Sequence, residues 1–422
     1  MLTIVQLLLL MLGATLLLPA LMLMGECLLG AIPPRRRLAA DSPIGSQTGR
    51  PSVDVLIPAH NEATVLARTI RSIQTQLLPS DRLLVVADNC TDSTASLARS
   101  MGTDVIERED DAKRAKGYAI ATGLDFLQVQ SRDVLIMIDA DCKVAPGSIT
   151  ILAKQAIAQQ APVQACYEMP LHRTPESNSP ENTDSKTSGS ETWNAVSAFA
   201  VKVKNQVRPL GLSRLGFGCA LTGSGMAFPS QLARHPNWAS DNIVEDMKTS
   251  YDLMIAGHTP TYCPHAIVTA DLPRLRQDAM EQRKRWEHGH LQTLVTQVPR
   301  LITQSVIQFR PSLMIAAIDL LIPPLSLFVQ LWLVALATTA IATVVLAIGW
   351  WPLGLIAAAG TGLFIAIFVA WLTHGRTLLS PGNLCTIPLY VLSKFPMYVA
   401  AVFHRQQEWK RTVRESESTA CT

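Results

Sequence analysis

The chain has a soluble-looking middle enclosed between two apolar ends. From Met1 to Gly25 no residue is charged and Leu and Met dominate. At 1.5 Å per residue, ~20 apolar residues cross a bilayer core, so this run suffices. A second apolar region begins near Leu313, breaks at Pro323 and Pro324, and continues without charge from Ser326 to Trp350. Gly349-Trp350-Trp351-Pro352 reads as an interfacial turn, and Leu353 to Leu372 as a span returning to His374-Gly375-Arg376. The segment from Leu384 to Phe403 is apolar but carries Lys394 and two prolines. A span there would put Arg405, Lys410 and Arg411 outside, against the positive-inside rule, so it reads as interfacial or re-entrant. The pattern predicts a membrane anchor over 1–31, a linker over 32–51, a soluble domain over 52–300 and a C-terminal membrane region over 301–422.

Within the middle, short β-branched runs alternate with helical periodicity. Val53–Ile57, Leu83–Ala87, Asp104–Glu107, Val134–Ile138 and Val163–Tyr167 read as strands. Glu62–Gln76, Asp111–Val129 and Gly147–Gln159 read as helices, the first with Ala63, Leu66, Ile70 and Ile73 as its apolar stripe. This alternation predicts an α/β fold with a mostly parallel sheet, flanked by transmembrane helices. Residues 170–192, rich in Ser, Thr, Pro, Glu and Asn, read as a disordered surface loop.

Composition sharpens the membrane reading. Of the 422 residues 48% are hydrophobic and 16% charged, against roughly 25% charged in soluble domains. A net charge of +3 and the absence of a recognition motif argue against nucleic acid. The eight cysteines are scattered without a C-x-x-C pair, which fits neither a zinc site nor a disulfide framework. Arg35-Arg36-Arg37 follows the first apolar run instead of preceding it. An uncleaved anchor with Arg35 onward in the cytoplasm is therefore expected, making an integral, multi-pass protein.

Ligands of α/β sheets bind beyond the carboxyl ends of the strands, so the chemistry is sought there. Asp139-Ala140-Asp141 ends the fourth predicted strand. Two carboxylates so spaced offer hard oxygens to Mg²⁺ or Mn²⁺, ions that keep waters and bind substrate phosphates. Alone, the pair reads first as a strand-end turn. The loop Asp88-Asn89-Cys90-Thr91-Asp92 follows the second strand and can bind a base or ribose, with Asp92 as a helix cap. Lys116-Gly117 reads equally as diphosphate contact or solvated face. Glu245-Asp246 follows a turn in which Asp241 is the expected cap. Gln282, Arg285 and Trp286 share one helix face; amide, guanidinium and indole together can hold a diphosphate and stack on a sugar. Arg283 and Lys284 read as lipid-facing.

Taken in order, Ile57-Pro58-Ala59-His60-Asn61-Glu62, the Asp88 loop, Lys116-Gly117, Asp139-Ala140-Asp141, Glu245-Asp246 and Gln282-x-x-Arg285-Trp286 resemble the motifs of membrane-bound family 2 glycosyltransferases. That branch contains cellulose, chitin and hyaluronan synthases and ceramide glucosyltransferase. Trp409-Lys410-Arg411-Thr412 adds to the likeness. The resemblance implies a GT-A-like nucleotide-sugar-binding domain and an inverting mechanism. It implies that Pro58, His60, Glu62 and Asp88 hold the nucleoside of the donor and that Lys116 lies near its diphosphate. It further implies that Asp139 binds the donor, Asp141 ligates Mg²⁺ or Mn²⁺, and Asp246 is the general base. Gln282, Arg285 and Trp286 would bind the diphosphate, and Gly223, Ser224 and Gly225 would floor the acceptor site. His60 stands where tyrosine is common in that family.

The implied reaction is hexosyl transfer from a nucleotide-sugar donor to a lipid-linked or saccharide acceptor at a membrane, for polysaccharide or glycolipid synthesis. Few spans leave little material for a polymer channel, so single transfer weighs at least as much as processive synthesis, which would call for an export partner. A non-catalytic nucleotide-binding subunit is the alternative of another class.

Overall fold

The computed structural model describes residues 2–33, 49–127, 132–170, 185–240, 244–271 and 276–395. The chain divides into two compact units, one of residues 34–172, 217–289 and 407–422, the other of residues 1–33, 173–216 and 290–406. The described residues 185–216 group with the apolar helices.

The elements run α1 (Leu2–Gly30), β1 (Val53–Ala59), α2 (Leu66–Gln74), β2 (Arg82–Asp88), α3 (Thr94–Ser100), β3 (Asp104–Arg108), α4 (Lys116–Leu127) and β4 (Val134–Met137). Then follow β5 (Cys142–Val144), α5 (Ser148–Gln159), β6 (Val163–Glu168), α6 (Ser185–Lys202), α7 (Arg208–Arg214), β7 (Met226–Pro229), α8 (Glu245–Ile255) and β8 (Thr261–Ala270). The chain continues through α9 (Arg276–Ile307), α10 (Pro311–Leu320), α11 (Leu325–Val345), α12 (Trp351–Ala370) and α13 (Ile387–Ser393). The five strands read from the sequence are all present; α4 begins at Lys116, five residues after the expected Asp111. Helix α6 occupies residues 185–192 of the expected loop, and residues 171–184 of that loop lie outside the described residues.

The first unit holds one eight-stranded sheet in the order β3-β2-β1-β4-β7-β6-β8-β5. Strands β3, β2, β1 and β4 are parallel, β7 runs antiparallel to β4 and β6, β8 is parallel to β6, and β5 is antiparallel to β8. The sheet is therefore mixed, with two strands reversed. Every residue of β1 and β4 is buried, the signature of a central strand covered on both faces. Leu66, Thr69, Ile70 and Ile73 form the buried face of α2, the stripe its periodicity predicts. Leu56, Leu84, Ile120, Met226, Phe228 and Trp238 belong to one core cluster, with Trp238 edge-on to Phe228 at 5.8 Å.

One register matters for the site. Met137 on β4 pairs with Met226 on the reversed β7. The loop entering β7 thereby lies at the carboxyl end of β4, where Asp139 and Asp141 leave the sheet. Gly225 N–H donates to the Met137 carbonyl at 3.0 Å and seals this corner.

In the second unit, among the described residues, three helical segments are long and apolar enough to cross a membrane: Leu2–Gly30, Leu325–Val345 and Trp351–Gly375. They coincide with the long apolar runs read from the sequence. Trp350 and Trp351 are exposed at the turn between the last two. Helix α1 packs against α12 and α7 through small residues, the usual device where apolar helices approach closely. A Cβ at Gly211 would lie 2.1 Å from the Glu26 carbonyl, and one at Gly13 would lie 2.9 Å from Leu355 Cβ. Arg208 donates through Nε to Glu26 (2.8 Å) and through a terminal nitrogen to Asp319 (2.5 Å). The two acids that stand out in the apolar ends thus share one arginine. Helix α13 covers part of 384–403, of which residues 396–403, with Trp409–Thr412, lie outside the described residues.

Candidate active site

Asp139-Ala140-Asp141 leaves β4 after the buried Ile138. The turn is pinned from α2, where Thr69 Oγ1 donates to the Ala140 carbonyl at 2.7 Å and Arg68 to that of Asp141 at 3.2 Å. Lys116 is the first residue of α4, and Gly117 lets that helix approach Trp238: a Cβ there would meet the Trp238 carbonyl at 2.1 Å. The ammonium reaches Asp139 Oδ1 (2.5 Å), the Gly223 carbonyl (2.8 Å) and Glu245 Oε1 (3.9 Å). Glu245 and Asp246 open α8, where unpaired amides and the helix dipole favour acids. Asp246 Oδ1 accepts from Met247 N–H at 2.7 Å, and Asp241, the expected cap, lies outside the described residues. Gly223 has φ +86°, and a Cβ on it would lie 3.1 Å from Asp246 Oδ2 and 3.5 Å from Lys116 Nζ. One lysine and one glycine thus gather the acids of β4 and α8 into a single site.

The charges perturb one another. Burial pushes the Asp139 carboxyl up; Lys116 opposes this and Asp141 adds to it. Burial likewise lifts Glu245 to about 8, against the pull of Lys116 and with the repulsion of Asp246. For Lys116, burial works downward, but Asp139 and Glu245 outweigh it and hold the ammonium above its ordinary range. The lysine is therefore charged at neutral pH, and the acids around it do not all ionise together.

The loop Leu221–Met226 is fixed by buried polar groups. Gln164, in the apolar strand β6, accepts from Thr222 N–H (2.8 Å) and donates to the Ser224 carbonyl (2.9 Å). Ser250 on α8 accepts from Leu221 N–H (2.7 Å) and donates to the Asp246 carbonyl (2.8 Å). Ser224 is fully buried, and its hydroxyl accepts from Asp139 N–H at 3.0 Å. The Ser224 hydroxyl thus lies behind the carboxylates, while Gly223 lies beside Asp246.

Pro58 is buried in β1, paired with Val86. His60 Nδ1 lies 2.7 Å from the Asp88 carbonyl, and Asn61 Oδ1 accepts from Thr91 and Asp92 N–H at 2.7 and 3.2 Å. Glu62 N–H donates to Thr94 Oγ1 at 2.8 Å. Asp92 accepts from Thr94 N–H at 2.9 Å, as a cap does. The two loops are stitched into one wall. Asp88 Oδ1 takes the Arg108 guanidinium at 2.6 Å, and Arg108 lies over the Tyr118 ring at 5.4 Å. Arg108 carried no sequence signal, since it ends an edge strand of mixed polarity. Gln282, Arg285 and Trp286 are half-buried on α9. One turn on, a Cβ at Gly289 would lie 2.5 Å from Val244, the residue before Glu245. Burial draws the Arg285 guanidinium downward, with Glu281 opposing.

Asp139, Asp141 and Cys142 bring ligand atoms within 4.8 Å of one another. The two carboxylates fit a hard divalent cation, which takes oxygen ligands and leaves positions for water and phosphate. The buried Cys142 sulfur instead accepts the Ser224 hydroxyl at 3.2 Å, which leaves the carboxylate oxygens as the candidate ligands.

Residues 191–404 match the family described as glycosyl transferase family group 2. The chain is 34% identical over 99 residues to the probable glycosyltransferase YdaM of Bacillus subtilis (strain 168), covering 22% of this chain and 23% of that protein. It is 32% identical over 109 residues to the 4,4'-diaponeurosporenoate glycosyltransferase of Staphylococcus aureus (strain bovine RF122 / ET3-1), covering 25% and 26%. The matched stretch spans about a quarter of these curated relatives. Among solved structures, the chain is similar to the mannosyltransferase PcManGT from Pyrobaculum calidifontis in complex with GDP-Man and Mn²⁺, at 18% identity over 85% of this chain and 89% of that one, TM-score 0.48. Residues 51–289, more than half of the chain, match the family described as glycosyltransferase like family 2, and the chain belongs to that family.

Proposed function

We propose that this protein moves a sugar from a nucleotide-sugar donor to an acceptor hydroxyl in one displacement with inversion, at the cytoplasmic face of a membrane. The observation that carries this reading is the single cluster in which Lys116 joins Asp139 to Glu245 while Gly223 abuts Asp246. Such a displacement forms a bond from the acceptor oxygen to the anomeric carbon and breaks the bond from that carbon to the diphosphate. Asp246 takes the acceptor proton as charge builds on the attacking oxygen, a role worth about 10²–10⁴-fold. Lys116 and Arg285 supply positive charge to the leaving diphosphate. A divalent cation, Mg²⁺ or Mn²⁺, held by Asp141 with Asp139 would neutralise the diphosphate further. The wall of Pro58, His60, Glu62 and Asp88 receives the nucleoside. Candidate spans on both sides of the domain in sequence support a lipid-linked acceptor and single transfer. The arginines after α1 support the cytoplasmic side.

The test is a screen of nucleotide-sugars for cation-dependent diphosphate release by membranes holding the full chain, with radiolabelled product resolved by size. One discrete lipid-linked product is expected, whereas a ladder would mean processive synthesis. Asp246→Asn should bind donor and lose transfer by about 10²-fold or more. Transfer at the wild-type rate in that variant would remove Asp246 from the mechanism.

A further inference from the structure

The two carboxylates at the end of β4 have a buried support that no role above uses. Ser224 is fully buried, and Cys142 is fully buried too. The Ser224 hydroxyl accepts from Asp139 N–H at 3.0 Å and donates to Cys142 Sγ at 3.2 Å. The thiol in turn donates to Asp141 Oδ1 at 3.6 Å, within reach for sulfur. The Tyr167 hydroxyl lies 4.0 Å from the same sulfur. One N–H, one O–H and one S–H are each used once, so the chain runs in a single direction from the Asp139 backbone to the Asp141 carboxylate. Gln164 holds its midpoint through the Ser224 carbonyl at 2.9 Å.

We propose that Ser224 and Cys142 are positioning residues for the divalent cation, fixing the Asp141 carboxylate relative to Asp139. The idea rests on the reading that Asp139 and Asp141 hold that ion. Half-buried aspartates on a turn would otherwise have free rotamers, and each would have to be ordered when the ion binds. A carboxylate already held by a donor on its outer side presents its oxygen without that loss. Groups behind metal ligands act in this way, and their removal commonly costs about 10–100-fold in metal affinity. A serine hydroxyl at position 142 keeps a donor aimed at Asp141, so it should replace the thiol where a methyl group cannot.

The experiment titrates Mn²⁺ into the purified full chain, without nucleotide, and follows loss of the free-ion EPR signal. Cys142→Ala and Ser224→Ala should each weaken Mn²⁺ binding about tenfold, Cys142→Ser should stay within about threefold of wild type, and Asp141→Asn should lose binding. A general packing defect would not be rescued by serine. Wild-type affinity in folded Cys142→Ala and Ser224→Ala, with Asp141→Asn weak, overturns the positioning role and leaves the cation reading standing. Wild-type affinity in Asp141→Asn overturns both. Should Cys142→Ala fail to fold, Ser224→Ala, which cuts the same chain from the loop side, decides.

Discussion

Lys116 Nζ lies 2.5 Å from Asp139 Oδ1, so one oxygen of the first strand-end acid is committed to a protein cation. Two like cations repel, so under the proposed reading a divalent ion would sit nearest Asp141 and leave the ammonium on the Asp139 side. The same lysine reaches Gly223 and Glu245, so it links the sheet end, the glycine loop and the start of α8.

Replacing Lys116 by Met should therefore act in opposite senses on two ligands. With a positive charge removed, Mn²⁺ alone should bind tighter, by about tenfold at most. The nucleotide-sugar should bind weaker, because its diphosphate loses a charge-assisted partner worth about 1.5–3 kcal/mol. EPR titration of Mn²⁺ and a direct donor-binding isotherm give the two signs. Weakening of both ligands in a folded variant would mean that Lys116 serves the site only as scaffold.

Gly223 and Gly225 should fail differently. Both have positive φ, at +86° and +70°, so Ala at either position costs about 1–2 kcal/mol of backbone strain. At 223 the new methyl meets Asp246 Oδ2 and Lys116 Nζ; at 225 it meets Ala165 Cβ at 2.7 Å and Val268 Cγ2 at 2.9 Å inside the sheet. Gly223→Ala should keep its fold and lose about 10²-fold in transfer, since small misplacements of a reacting group are that costly. Gly225→Ala should melt early. Thermal unfolding beside activity separates them, and equal activity of Gly223→Ala with wild type would move the acceptor away from this loop.

Much of this site was legible from residues alone, for identifiable reasons. Asp139 and Asp141 follow a fully apolar run, so strand, end and acids all appear together. Lys116-Gly117 could not be decided in isolation, because a basic helix start looks the same solvated or engaged; its engagement depends on Trp238, over a hundred residues away. The burial of Ser224 was not legible, because it comes from Cys142 on β5 and Gln164 on β6, which are remote in sequence. Strands β5 and β7 have three and four residues, too few for a period, so the mixed character of the sheet stayed hidden. The opening of α6 was read as loop, since its Ser and Thr residues carry no stripe and the helix docks on tertiary contacts.

The elevated Glu245 should leave a signature in stability. Its carboxyl titrates near 8 in the folded protein against an ordinary 4.5. Between those values the folded state holds a proton that the unfolded chain has released. Its contribution is full below about 4.5 and is lost as pH rises toward 8. Relative to Glu245→Gln, the wild type should lose up to about 1.4 kcal/mol per pH unit in that window. Urea unfolding at several pH values reads the difference between the two proteins, so other acids cancel. Parallel curves would show that Glu245 is ionised in the native site.

The arginine shared by α1, α7 and α10 offers the last test, in the other unit. Arg208 faces Glu26 and Asp319, and all three side chains are largely buried. Removing the cation alone strands two acids out of water, so Arg208→Met should destabilise the detergent-solubilised chain by about 3–5 kcal/mol. Removing all three charges is a different matter, because a buried ion cluster gains little over neutral groups of the same shape. The triple variant Arg208→Met, Glu26→Gln, Asp319→Asn should therefore recover most of what the single variant loses. Additive losses would mean that each side chain contributes by packing; a single variant as stable as wild type would show that the acids find other partners.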